Sequence, residues 1–251
     1  MASNGDVAAV VVRGLHKDYQ LGAHQSLGTT IRRMLRRWHE PTPFSALNGV
    51  DFDVMRGEAL GIVGMNGSGK STVLQILAGT TLPTQGEMRV RGRVIPLLSV
   101  GQGFHGELTG YENVMLFASS LRIPRRVIEQ RMEAVREFAE LEREHMDTPV
   151  KRYSSGMVSR LTFAIAMQFP ADIYVFDEVL AVVDTEFQAR CLDAIKELRD
   201  GGSSILFVSH NSGQVAEVCD RVLWLERGRV ERVGPTAEIL QAYERVHALS
   251  G

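Results

Sequence analysis

Gly64-Met65-Asn66-Gly67-Ser68-Gly69-Lys70-Ser71 lies between a short apolar run, Ala59 to Val63, and the helical pattern Thr72-Val73-Leu74-Gln75-Ile76-Leu77-Ala78. The apolar run reads as a buried strand and Gly79 as the helix stop. Glycines at 64, 67 and 69 let the backbone curl so that successive amide N–H groups face inward, at the spacing of phosphate oxygens. The helix beginning at Lys70 adds its positive end. Gly64, Asn66, Gly67, Ser68, Gly69 and Thr72 are therefore expected to wall a nucleoside triphosphate site. Lys70 should reach the β- and γ-phosphates, and the Ser71 hydroxyl should sit on Mg²⁺.

Further along, Ile173-Tyr174-Val175-Phe176 is a buried parallel-strand pattern that ends in Asp177-Glu178. A strand end places Asp177 near the phosphate loop as a Mg²⁺ holder, through water. Glu178 then stands where an attacking water would be, as general base or water-orienting group. A second buried run, Ser204 to Val208, leads into Ser209-His210-Asn211. Two roles are open to His210: contact with the γ-phosphate that keeps Glu178 aligned, or a polar cap on the following helix. Tyr19 likewise either stacks on adenine through its π-face or simply packs.

The remaining pattern is α/β. Val7–Val12, Val50–Val54, Glu87–Val90 and Arg93–Leu98 read as strands, and Arg221–Leu225 with Arg229–Val233 as a hairpin through Glu226-Arg227-Gly228. Residues from about Gly110 to Gln168 turn helical, with Val127, Ile128, Met132, Val135 and Phe138 on one face after Pro124. A helix is expected over Thr185–Leu198 and another after Gly234-Pro235. This predicts one domain over 1–251, with a helical subdomain at 104–168 and a C-terminal helix at 234–251.

The 251 residues carry a net charge of −2, which gives no global pull toward nucleic acid or anionic membrane. Cys191 and Cys219 fit buried free thiols in a reducing compartment. The N-terminus has no signal-peptide pattern, and no apolar run reaches the ~18 residues that span a bilayer. Leu27, Ile31, Met34, Leu35 and Trp38 share a helical face beside Arg32, Arg33, Arg36 and Arg37, in a basic amphipathic insertion at 24–43. It either lies at a membrane interface or membrane partner, or packs on its own domain with a solvated charged face.

The order of Gly64–Ser71, Tyr153-Ser154-Ser155-Gly156-Met157, Ile173–Glu178, Ala181-Val182-Val183-Asp184 and His210 resembles the nucleotide-binding subunit of ATP-binding cassette transporters. Within that family the chain is most similar to bacterial exporters of O antigen, teichoic acid, capsule or related lipid-linked glycans. That narrower likeness rests on Tyr153–Met157 in place of Leu-Ser-Gly-Gly-Gln, on Gly103-Phe104-His105 leading to Leu108–Asn113, on Asp177–Val182 and on the basic insertion. The resemblance implies a RecA-like parallel-sheet core with an antiparallel β subdomain and an inserted α-helical subdomain.

It also implies a homodimer with head-to-tail ATP sites. Ser154, Ser155 and Gly156 would then bind the γ-phosphate held by the other copy, and Asp184 would lie in a loop crossing the dimer. Gln102 is the nearest candidate for a glutamine sensing Mg²⁺, about two residues short of the common spacing to Thr109, and Val183 replaces the glycine usual before Asp184. The implied partners are two copies of a separate permease and, through them, a lipid-linked polysaccharide, at the cytoplasmic face of the bacterial plasma membrane. With Gly251 ending the chain soon after its last helix, no extra glycan-binding domain is expected. Rival readings are an ATPase for lipid or drug export, a chromosome-associated ATPase of the same superfamily, and a phosphate-loop kinase. The second would require long coiled coils or zinc modules, and the third an acceptor pocket and lid.

Overall fold

The computed structural model describes residues 7–20, 43–98, 101, 103–178, 180 and 183–248. The basic segment expected at 24–43 lies outside them up to residue 42, as does Gln102. Two sheets share the chain. Strands β1 (Ala8–Gln20), β2 (Pro43–Met55) and β4 (Gln85–Val90) form a three-stranded antiparallel sheet in the order β2-β1-β4. The second has six strands in the order β5-β6-β7-β3-β8-β9: β3 (Ala59–Val63), β5 (Val94–Leu97), β6 (Ile173–Asp177), β7 (Ser204–Val208), β8 (Arg221–Glu226) and β9 (Arg229–Pro235). All its pairings are parallel except β8 with β9. Pro96 sits in β5, the edge strand, where a missing N–H costs no ladder bond on the open side.

Side-chain alternation along the parallel strands divides the interior in two. Leu60, Ile62, Val175, Leu206 and Leu223 join a core with β1, β2 and the helix α1 (Lys70–Leu77). Their neighbours Tyr174, Phe176, Phe207, Val222 and Trp224 face the opposite core, with the remaining helices. A period of two on strands covered on both faces produces this split. Phe163, Phe176 and Phe187 anchor the second core; full burial of each such ring is worth about 1.5–3 kcal/mol.

The predicted helical stretch is four helices: α2 (Gly110–Ser120), α3 (Arg125–Phe138), α4 (Arg143–Met146) and α5 (Ser155–Gln168). The fully buried Asn113 fixes the loop that enters α2. Its Oδ1 accepts from the His105 amide at 2.7 Å, and its Nδ2 donates to the carbonyls of His105, Leu108 and Thr109 at 2.9–3.1 Å. Thr109 caps α2 in a reciprocal capping box with Glu112, whose carboxyl is held below its usual range by the Thr109 amide and hydroxyl. Helices α6 (Thr185–Asp200), α7 (Ser212–Val218) and α8 (Thr236–Ala248) complete the chain.

Strands β1 and β2 are longer than their apolar patterns. Pairing carries them through His16-Lys17-Asp18 and Phe44-Ser45, with register shifts between Val12 and Leu15 and again after Leu15 and Lys17. Cross-strand hydrogen bonds hold those polar residues in strand, and the bulges re-aim their side chains.

Candidate functional site: a phosphate loop at the strand ends

The phosphate loop leaves β3, Asp177 ends β6, and His210 follows β7. Those three strands are neighbours in the sheet, with Val208 opposite both Ile62 and Asp177. The site therefore occupies the carboxyl ends of adjacent parallel strands, where backbone leaves the sheet and helix N-termini begin.

The loop's geometry demands its glycines at two points. At Gly64 (φ 154°) a Cβ would lie 2.1 Å from the Leu225 carbonyl oxygen and 2.6 Å from Ser68 Oγ. At Gly69 (φ 107°), the N-cap of α1, it would meet the Ala46 carbonyl oxygen at 2.7 Å. Lys70 is buried, and its ammonium donates to the carbonyls of Gly64 at 2.7 Å and Met65 at 3.1 Å. Burial lowers its pKa from the ordinary lysine value, opposed by the charges of Glu178, Asp177 and Glu226.

Ser71 hydrogen-bonds the Asp177 carboxyl, whose pKa is raised chiefly by burial, against that hydrogen bond. Asp177 Oδ1 is buried with no hydrogen-bond partner among the described residues, as is Ser68 Oγ inside the loop. A hydroxyl and a carboxylate with one idle oxygen are hard-oxygen donors of the kind Mg²⁺ takes, so the residues present fit that ion. Glu178 adopts a left-handed backbone, φ 54°, and its amide donates to the Val208 carbonyl at 3.0 Å.

His210 Nε2 lies 2.7 Å from Glu178 Oε1. Capping of α7 falls instead to Asn211, whose Oδ1 accepts from Gly213 and Gln214. His210 therefore does not cap α7; it stands beside Glu178. Tyr19, Asn66, Gly67, Gly69, Lys70, Ser71, Thr72 and Glu178 come together around one cavity of about 190 Å³. Gly64 and Ser68 are buried beneath the loop.

The second constellation lies elsewhere: none of residues 153–157 lines that cavity. Ser154 is exposed and caps α5, accepting from the Met157 amide at 3.2 Å; Ser155 is also exposed, and Gly156 half-buried. Tyr153 ties this turn down by donating to the His145 carbonyl at 2.6 Å, and burial pushes its phenol up to about 12. Asp184 caps α6 through the Phe187 amide and takes an ion pair from Arg160 at 2.5 Å. Arg160 also pairs with Glu140, which pairs in turn with Arg190. This ladder ties α5 and Glu140, two residues past the end of α3, to α6. Its members lie 20 to 50 residues apart, so no local pattern announces it. Phe44 too is found only through strand register: it sits opposite Tyr19 and lines the same cavity.

The ABC transporter family model matches residues 47–181. The chain is 42% identical over 240 residues to the O-antigen export system ATP-binding protein RfbB of Klebsiella pneumoniae, covering 92% of this chain and 96% of that one. It is 42% identical over 201 residues to the teichoic acids export ATP-binding protein TagH of Listeria monocytogenes serotype 4b (strain F2365), covering 80% of this chain and 59% of that one. In fold it is similar to the ATP-binding cassette MJ0796 in its dimeric post-hydrolysis state bound to ADP and Pi, with a TM-score of 0.73 and 23% identity over 90% of this chain and 98% of that one. Strand-end phosphate loop, ordered motifs and near full-length similarity agree: the chain belongs to the ABC transporter family and is one of its ATP-binding, ATP-hydrolysing domains.

Proposed function

We propose that the chain is the motor subunit of a bacterial exporter of a lipid-linked polysaccharide. It would work as a head-to-tail homodimer beneath two copies of a separate permease, at the cytoplasmic face of the plasma membrane. The observation that carries the motor is the convergence of Lys70, Ser71 and Glu178 on one cavity, with Asp177 hydrogen-bonded to Ser71. The cargo class is supported by relatives named for O-antigen and teichoic acid export. No helix among the described residues is long and apolar enough to cross a membrane, which fits a path supplied by other chains.

In this reading the phosphate-loop amides and Lys70 bind the triphosphate, Lys70 exchanging its two loop carbonyls for phosphate oxygens. Mg²⁺, when bound, supplies charge neutralisation at the β- and γ-phosphates, held by Ser71 and Asp177 and sensed by Gln102. Glu178 takes a proton from the attacking water, and His210, 2.7 Å away, fixes the carboxylate's direction. Ser154, Ser155 and Gly156, at the exposed N-terminus of the 14-residue helix α5, offer amides and a hydroxyl to the γ-phosphate on the partner copy. The binding free energy of ATP at a shared interface favours the closed dimer, and hydrolysis releases it; the cycle moves the permease between states.

The test uses cells whose only copy is a conditionally induced Glu178→Gln. ATP should still bind while hydrolysis stops, and polyprenyl-linked glycan should accumulate inside the cell. An unchanged lipid-linked pool, with ATP turnover lost, would remove polysaccharide as cargo and leave the motor standing.

A further inference from the structure

We propose that Phe44 and Lys17 complete, with Tyr19, a three-part platform that binds the purine base of the nucleotide. The inference rests on the ATP site proposed above and adds two residues to it.

Three observations meet at one end of the cavity. Tyr19 on β1 and Phe44 on β2 are directly opposed in the antiparallel pair. Directly opposed residues project from the same sheet face with their Cβ atoms about 5 Å apart, and both side chains line the one cavity. Phe44 is 46% exposed, one of six large apolar side chains left in water among the described residues, and it faces a cavity whose far end is the phosphate loop. Ala46 lines the same cavity.

Lys17 precedes Tyr19 by two residues and shares its face of β1. Its ammonium stands 4.9 Å from the centre of the Tyr19 ring and is held there by donating to the Leu82 carbonyl at 2.8 Å. One π-face of Tyr19 is thereby occupied by a fixed cation, leaving the other for a ligand. A cation on one face draws electron density from the ring and makes its free face a better partner for an electron-rich base. Phe44 extends the stacking surface sideways and loses its exposure to water when a base covers it. Lys17 acts through Tyr19 and is a positioning residue; Phe44 touches the base.

The experiment compares binding of adenylyl imidodiphosphate with binding of inorganic tripolyphosphate, both with Mg²⁺, to the full chain by calorimetry. Tripolyphosphate reports the phosphate loop alone. Phe44→Ala should weaken the nucleotide about tenfold and Lys17→Met about threefold, with tripolyphosphate affinity unchanged in both, and Phe44→Trp should restore nucleotide affinity. Unchanged nucleotide affinity in Phe44→Ala overturns the platform. So does a parallel fall for both ligands, which would make Phe44 a support of the loop. Wild-type chain that binds neither ligand would remove the ATP site itself, and the platform with it.

Discussion

Replacing Asn113 should damage the fold in a way that can be ordered in advance. Its carboxamide makes four hydrogen bonds from a position fully shielded from water. They are not equal losses. The His105, Leu108 and Thr109 carbonyls each keep a backbone donor, from Leu108, Val150 and Asn113 respectively, whatever residue stands at 113. Losing a second donor at each costs about 0.5 kcal/mol, at the low end for a hydrogen bond. The His105 amide has only the Asn113 oxygen in this network, and a donor left without a partner costs about 1–3 kcal/mol. Asn113→Ala should therefore destabilise by about 3 kcal/mol, a fall in Tm of about 6–12 °C for a domain of this size.

Asn113→Asp, the closer isostere, should be worse than alanine at neutral pH. It keeps the oxygen that accepts from His105 and then aims a buried carboxylate at three carbonyl oxygens. Protonation replaces one donor, so this variant alone should regain stability on mild acidification. Equilibrium urea unfolding at pH 7.5 and pH 5.5 measures both. An alanine variant within 0.5 kcal/mol of wild type, or an aspartate variant more stable than alanine at pH 7.5, would refute the reasoning.

Two further predictions concern the site and the ladder behind it. Lys70→Ala should lower kcat/KM for ATP by about 10²–10³ through loss of charge at the transferring phosphoryl group, read by phosphate release; near-normal turnover would remove the phosphate-loop assignment. The Arg160 guanidinium, helped by the Phe187 amide, holds the Asp184 carboxyl below its ordinary value of 3.8. A depressed carboxylate contributes stability that is fully present above that value and lost as pH falls through the folded one. The stability gap between wild type and Asp184→Asn should be constant above about pH 4.5 and close below it; a gap independent of pH down to 2.5 would exclude the ion pair as its source.

How much could be read beforehand follows from where each signal resides. The phosphate loop, the strand-end carboxylates and the buried runs at 59–63, 173–176 and 204–208 are local: composition and period within eight residues determine them. That Asn211 rather than His210 caps α7 is legible too, since asparagine is the better cap. The Arg190–Glu140–Arg160–Asp184 ladder and the Tyr19–Phe44 pairing depend on segments brought together across 20 or more residues, the latter through a bulged register. Polar strand ends such as His16-Lys17-Asp18 carry no apolar alternation, so the apolar pattern at Val7–Val12 stops well before Gln20, where pairing with β2 ends the strand.

The backbone at Glu178 has an evolutionary consequence. A glutamate at φ 54° occupies a conformation that glycine enters freely and asparagine tolerates, while other residues lose about a kcal/mol or more there. Under the role proposed for Glu178, substitution toward glycine relaxes the backbone and removes the proposed base in the same step. Under that same role, a screen for thermal robustness and a screen for turnover would pull residue 178 in opposite directions.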